Sequence, residues 1–225
     1  MKVTHLGQAG LLFEKDGIRI MIDPYLSNSI EKVNPKNRRN VPINESFFEL
    51  QPDVMIFTHN HLDHYDPETV CRFVNEKTNV TILAPSSVWV EIRKYGGNNN
   101  YVLFNPHTEW SAYGMTFMSV KAEHSDPAAI GVIICDGDKK CYITGDTLYN
   151  SKILNELPSD IDYIFLPING KGNNMNMTDA ARFVSSVGAK IAIPIHIGMF
   201  DNISAQDFEC SNKMILNVYV ETQLY

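Results

Sequence analysis

No apolar run in this 225-residue sequence approaches the ~20 residues needed to cross a bilayer, so no membrane-spanning helix is expected. The opening stretch, Met1-Lys2-Val3-Thr4-His5, has neither the apolar core nor the small-residue cleavage site of an export signal, and the expectation is a cytoplasmic protein. Positive charge is scarce. Against 26 Asp and Glu stand 19 Lys and Arg, a net charge of −7, which argues against the broad basic surface that a nucleic-acid partner requires. Cysteine is sparse too: Cys71, Cys135, Cys141 and Cys210 are dispersed, as reduced core thiols are. Cys135 and Cys141 flank a turn, which leaves a cross-hairpin disulfide open. No short repeat is present, and at ~100–200 residues per domain the length predicts one domain over residues 1–225.

Histidine, by contrast, is concentrated. Thr58-His59-Asn60-His61-Leu62-Asp63-His64-Tyr65 follows the apolar run Val54-Met55-Ile56-Phe57, so three imidazoles and a carboxylate collect where a buried strand should leave the core. Asp66-Pro67 then reads as the N-cap and first residue of a helix with Val70, Cys71, Phe73 and Val74 facing inward. His59 and His61, two apart, point the same way from an extended segment, whereas Asp63 and His64 lie in the turn and face a neighbouring position. One pair per metal is the natural reading. With no thiolate in the stretch, its nitrogen and oxygen donors suit zinc, manganese or iron better than copper(I) or an iron–sulfur cluster. A single histidine here would more often cap a helix; the combined spacing points to a metal.

Residues 3–6, 11–14 and 18–22 read as strands, the last two joined at the hairpin signal Asp16-Gly17 and closed by Asp23-Pro24. Periodicity then fails from 26 to 44, where Asn34-Pro35-Lys36-Asn37-Arg38-Arg39-Asn40 is either a solvated loop or a lid whose Lys36, Arg38 or Arg39 meets an anionic substrate. Further strands are expected at 80–83, 101–104, 115–120, 130–135, 141–144, 161–166 and 190–195, with helices at 86–95 and 178–187. Ser204 is expected to cap a closing helix whose Phe208, Met214, Ile215 and Leu216 pack inward. The glycine- and asparagine-rich stretch 169–177 is either a flexible connection or a cradle for a phosphorylated or polyhydroxylated ligand. Lys171 and Asn176 are its leading contacts, and Gln8 is a further candidate. His5 and His107 are assigned structural places.

His59-Asn60-His61-Leu62-Asp63-His64 resembles the signature of the metallo-β-lactamase superfamily, in which a distant His, an Asp and a last His follow. Here these are His124 in Ala122-Glu123-His124-Ser125, Asp146 in Thr144-Gly145-Asp146-Thr147, and His196 in Ile193-Pro194-Ile195-His196. Leu6-Gly7-Gln8-Ala9-Gly10, Ile22-Asp23-Pro24, Gly145-Asp146-Thr147-Leu148-Tyr149 and Leu166-Pro167-Ile168-Asn169-Gly170 with Asn174-Met175-Asn176 are similar to the branch containing bacterial L-ascorbate-6-phosphate lactonase. The resemblance spans Val3 to Phe200 and implies an α/β fold, the four-layer αββα sandwich. It also implies that His59, His61 and His124 hold one divalent cation and that Asp63, His64 and His196 hold another, with Asp146 bridging and Asp23 orienting a ligand histidine from behind. Two such ions, zinc or manganese with iron also compatible, share a hydroxide that opens a small lactone or ester, a phosphorylated sugar-acid lactone being the most concrete case. Asp63 or Asp146 then relays the proton to the leaving oxygen. Metal-dependent phosphodiesterase or nuclease chemistry, and a non-catalytic metal-binding protein, are the alternatives. The expected partner is a small anionic substrate, with no nucleic acid and no membrane; a homo-oligomer is compatible with the sequence.

Overall fold

Two mixed sheets form, each antiparallel where turns and short loops join successive strands and parallel where helices do. The computed structural model describes residues 1–199 and 203–225. It divides into two compact units: Met1–Leu103 and Leu216–Tyr225 with a short segment from Gly198, and Phe104–Ile197 with Ile203–Ile215.

The first unit opens with β1 (Lys2–Gly7), β2 (Gly10–Lys15) and β3 (Ile18–Ile22). The hairpin signal is used as expected: Asp16 (φ 51°) and Gly17 (φ 84°) are both left-handed, the geometry a two-residue turn needs to follow the strands' twist. Next come α1 (Ser29–Val33), β4 (Val54–Ile56), α2 (Pro67–Phe73), β5 (Thr81–Ala84), α3 (Ser86–Ile92) and β6 (Asn100–Leu103). The region 26–44 is therefore not structureless, since it holds α1 and a 3-10 turn at Pro35–Asn37. β4 is short and fully buried, pairing in parallel with β3 through Ile22–Ile56 and with β5 through Ile56–Leu83. Whatever follows Ile56 thus emerges from the middle of a sheet.

That exit is turned sharply by Asp66, whose buried carboxylate accepts the Glu68 and Thr69 N–H groups (3.2 and 3.1 Å) at the start of α2. Val70, Phe73 and Val74 pack into the core with Phe57, Met55 and Ile82; Cys71, expected beside them, is exposed. Asp66→Ala removes this cap and should cost about 1–2 kcal/mol, which at roughly 2–4 °C per kcal/mol lowers the thermal midpoint by a few degrees. An unchanged melting curve would contradict the cap's role.

The second unit contains β7 (Glu109–Ala112), β8 (Met115–Lys121), β9 (Ile130–Asp136), β10 (Lys139–Ile143), α4 (Ser151–Leu154), β11 (Tyr163–Pro167), α5 (Met177–Val187) and β12 (Ile191–Ile195), in sheet order β12-β11-β10-β9-β8-β7. β7 was not expected; it pairs with β8 across left-handed Tyr113 (φ 54°) and Gly114 (φ 72°). The first unit's sheet runs β13-β1-β2-β3-β4-β5-β6, where β13 (Glu221–Gln223) is a second strand the sequence did not announce. The closing helix expected from Ser204 is only a 3-10 turn, Ala205–Asp207. Beyond it, Asn212 and Met214 exchange backbone bonds with Ala192 (3.0 and 2.8 Å), so these groups are satisfied against β12 rather than within a helix. All four cysteines are free. Cys135 lies opposite Lys140 and Cys141 opposite Ile134, which puts the two thiols on opposite faces of the sheet. Among the described residues, no helix is long and apolar enough to cross a membrane.

Candidate metal centre

In the first unit His59, His61, Asp63 and His64 occupy the turn between β4 and α2. Parallel pairing of β3 with β4 brings Asp23, just past β3, against this turn. Its Oδ1 accepts the Thr58 N–H (2.8 Å), and its Oδ2 accepts both the Thr58 hydroxyl (2.5 Å) and His64 Nδ1–H (2.8 Å). Thr58 has one hydroxyl proton and gives it to Asp23. Its 3.0 Å contact with His59 Nδ1 is therefore a bond that the ring donates. Both histidines consequently carry their proton on Nδ1 and a lone pair on Nε2, the tautomer that offers Nε2 to a cation. Both rings are buried, with centroids 4.0 Å apart, and His61 lies 4.7 Å from His59.

Asp63 Oδ2 is 3.7 Å from His64 Nε2 and accepts a hydrogen bond from Gln8 Nε2 at 3.0 Å. Gln8 and Asp23 both have left-handed backbones (φ 50° and 44°), conformations uncommon outside glycine. Part of the restraint on Gln8 comes from His5, whose Nε2 contacts the Gln8 carbonyl at 3.0 Å. Burial pushes the His5 imidazole below its ordinary pKa, against the opposing effect of that carbonyl, so a neutral ring donates this bond.

In the second unit Asp146, Asn169 and His196 follow the ends of the parallel strands β10, β11 and β12, and His124 follows β8, which runs in the same direction as β10. Asp146 Oδ2 lies 3.1 Å from His196 Nε2 and 3.9 Å from His124 Nε2. Donors bound to one zinc-like ion at ~2.0–2.2 Å stand roughly 3–3.5 Å from each other, close to this spacing. Asn169 Nδ2 meets His196 Nδ1 at 3.0 Å, and Asn174 Nδ2 donates to Asp146 Oδ2 at 2.7 Å. Because Asn169 Oδ1 accepts the Lys171 N–H, its Nδ2 donates to His196 Nδ1, and His124 likewise accepts at Nδ1, from the Asp126 N–H (3.3 Å), with Nε2 donating to the Gly172 carbonyl (3.0 Å); both differ from His59 and His64, whose Nδ1 donates. A cation at the His124 Nε2 takes the place of a proton, so binding there releases one. Each unit thus presents imidazole and carboxylate donors without thiolate, a set that fits zinc, manganese or iron.

A model of the beta-lactamase superfamily domain matches residues 18–197. The chain belongs to the metallo-β-lactamase superfamily. Within it, the UPF0173 metal-dependent hydrolase of Ligilactobacillus salivarius is 30% identical over 216 residues, covering 90% of this chain and 88% of its relative, and the chain is a member of that family. Its counterpart in Carboxydothermus hydrogenoformans is 28% identical over 226 residues, with 95% and 92% covered. Among solved structures, the metallo hydrolase Igni18 of Ignicoccus hospitalis superposes with a TM-score of 0.77 at 19% identity, over 100% of this chain and 99% of its own. The fold is the metallo-β-lactamase fold, α/β with two mixed sheets and helices, as the motif implied.

The residues expected to touch substrate fare less uniformly in this family member. Gln8 is buried and bonded to Asp63. Asn176 is the N-cap of α5, accepting the Asp179 N–H (2.9 Å) and donating to the Asp179 carboxylate (3.1 Å). Arg39 anchors its own loop: its guanidinium donates to the carbonyls of Tyr25 and Val41 and to the Tyr219 hydroxyl, and the adjacent Asn40 N–H reaches Gly198 O. Gln8 and Arg39 are bonded within the protein, whereas Asn176, although it caps α5, is exposed like Arg38 and Lys171. Reading the sequence also passed over Thr58, Asn169 and Asn174 as partners of the candidate ligands. The polar residues flanking each strand exit are the only local signal that could have singled them out.

Proposed function

We propose that this chain is a metal-dependent hydrolase that opens a small lactone or ester, most concretely a phosphorylated sugar-acid lactone. His59, His61, Asp63 and His64 of the first unit, and His124, Asp146 and His196 of the second, are the side chains assigned to hold divalent cations. The observation that carries the reading is the Asp23–Thr58 network, which commits the Nδ1 protons of His59 and His64 and directs their Nε2 lone pairs to a ligand role. Membership of a metal-dependent hydrolase family supports it. A bound divalent cation supplies Lewis acidity towards a carbonyl oxygen and lowers the pKa of water from 15.7 towards ~7. The chain's own residues do the rest. Asp63, whose side chain is 15% exposed and which is steered by Gln8, takes the proton given up by the attacking water and passes it to the leaving oxygen. Surface-exposed Lys171 and Arg38 are the cations assigned to an anionic substrate group.

The test is a panel of lactones, carboxylic esters and phosphodiesters assayed with protein as purified, after chelation, and after restoring zinc or manganese. Lactone or ester turnover that disappears on chelation and returns with metal is expected. Turnover that survives chelation, or none on either substrate class, overturns the reading; hydrolysis confined to phosphodiesters redirects it to nuclease-type chemistry.

A further inference from the structure

One turn of the second unit touches all three of its candidate ligands. Residues 169–176 connect β11 to α5, bending through left-handed Gly170, Gly172 and Asn173 (φ 66°, 64° and 66°) and closing with Gly170 N–H on Met175 O at 3.0 Å. From this turn Asn169 meets His196, the Gly172 carbonyl meets His124, and Asn174 meets Asp146. Buried Met175 plugs into the core below and donates its N–H to Thr147 O (3.0 Å). Within this stretch Asn169, Asn174 and Met175 are buried, while Lys171 stays exposed.

Asn174 is the one that holds the carboxylate. It is buried, and its amide can sit only one way round: Oδ1 accepts the Thr147 N–H (3.1 Å), which leaves Nδ2 to donate to Asp146 Oδ2 at 2.7 Å. We propose that Asn174 is a positioning residue for Asp146, fixing the rotation of its carboxylate so that the second unit's cation affinity depends on this one amide N–H. The chemistry favours a neutral donor. A carboxylate that is only 4% exposed needs hydrogen bonds to offset lost hydration, but a Lys or Arg in that place would compete with the cation for its charge. The amide gives the bond without the charge. This inference rests on the reading of Asp146 as a cation ligand.

The test measures zinc affinity of wild-type protein and Asn174→Ala by competition with a chromophoric chelator, alongside the visible spectrum of the cobalt-substituted proteins and the melting of the metal-free forms. Asn174→Ala is expected to bind zinc about 10–100-fold more weakly and to show an altered cobalt ligand-field spectrum. A merely structural residue would move only the metal-free melting curve. If the variant does not fold, the wild-type Asn174 side-chain amide resonances answer the same question, because they should shift on zinc addition. Wild-type affinity in Asn174→Ala, or amide resonances blind to zinc, overturns the proposal and leaves the hydrolase reading standing. A wild-type protein that binds neither zinc nor manganese overturns both.

Discussion

Asp146→Ala is expected to lower kcat/KM on whichever substrate the protein hydrolyses by about a thousandfold, since cation-borne charge stabilisation is worth several kcal/mol and ~4 kcal/mol corresponds to that factor. Its Oδ2 is the atom on which His196 Nε2, His124 Nε2 and the Asn174 amide converge, so its loss removes the sole carboxylate of that cluster. Folding should suffer much less. His196 keeps Asn169, His124 keeps Gly172 and Asp126, and the Asn174 amide keeps Thr147. Elemental analysis should therefore show cation lost while the metal-free melting curve stays close to wild type. Asp146→Asn sharpens the experiment: it keeps the shape, but a neutral amide oxygen is a poorer donor to a divalent ion, so activity should fall nearly as far. Activity within about tenfold of wild type in both variants would remove Asp146 from the machinery.

How much of this could be seen in the sequence depended on the range of the interaction. The ligand stretch was legible because its cues are local: a buried run, alternating histidines and an Asp-Pro helix start, all within residues 54–67 and all reproduced around β4 and α2. The hairpin at Asp16-Gly17 was legible for the same reason. What failed was whatever a partner distant in sequence decides. Ser204 does cap a turn, accepting the Gln206 N–H, but a cap cannot report that Asn212 and Met214 will bond to Ala192 and end any helix. β13 is likewise defined by its pairing with β1 at the other end of the chain. Gln8 and Arg39 looked like substrate contacts because side-chain type shows polarity, not destination; Asp63 claims the first, and backbone carbonyls claim the second. Asn176 has a structural place that was legible locally, since Asn176-Met177-Thr178-Asp179 at the start of an amphipathic run is a capping pattern.

Asp23→Ala should cost both stability and metal, and comparison with Asp23→Asn separates the two. The alanine variant strips the acceptor from three buried donors at once: the Thr58 N–H, the Thr58 hydroxyl and His64 Nδ1–H. At about 1–3 kcal/mol for each orphaned buried group, less the hydration cost relieved by removing a buried carboxylate, a net loss of roughly 3–5 kcal/mol follows. For a chain of this size, that is roughly a 6–20 °C fall in thermal midpoint. Backbone strain adds to it, because Asp23 sits at φ 44°, a conformation Asp and Asn tolerate better than Ala. Asp23→Asn keeps the backbone and one acceptor oxygen, so most of the stability should survive. Its single oxygen cannot, however, serve the Thr58 N–H on one side and the His64–Thr58 hydroxyl pair on the other; with the oxygen kept on the Thr58 N–H, the NH2 faces His64, which is then free to move its proton to Nε2. The asparagine variant should accordingly fold near wild-type temperature yet bind zinc about 10–100-fold more weakly. Full zinc affinity in that folded variant would mean that Asp23 shapes the turn without setting the histidine's tautomer.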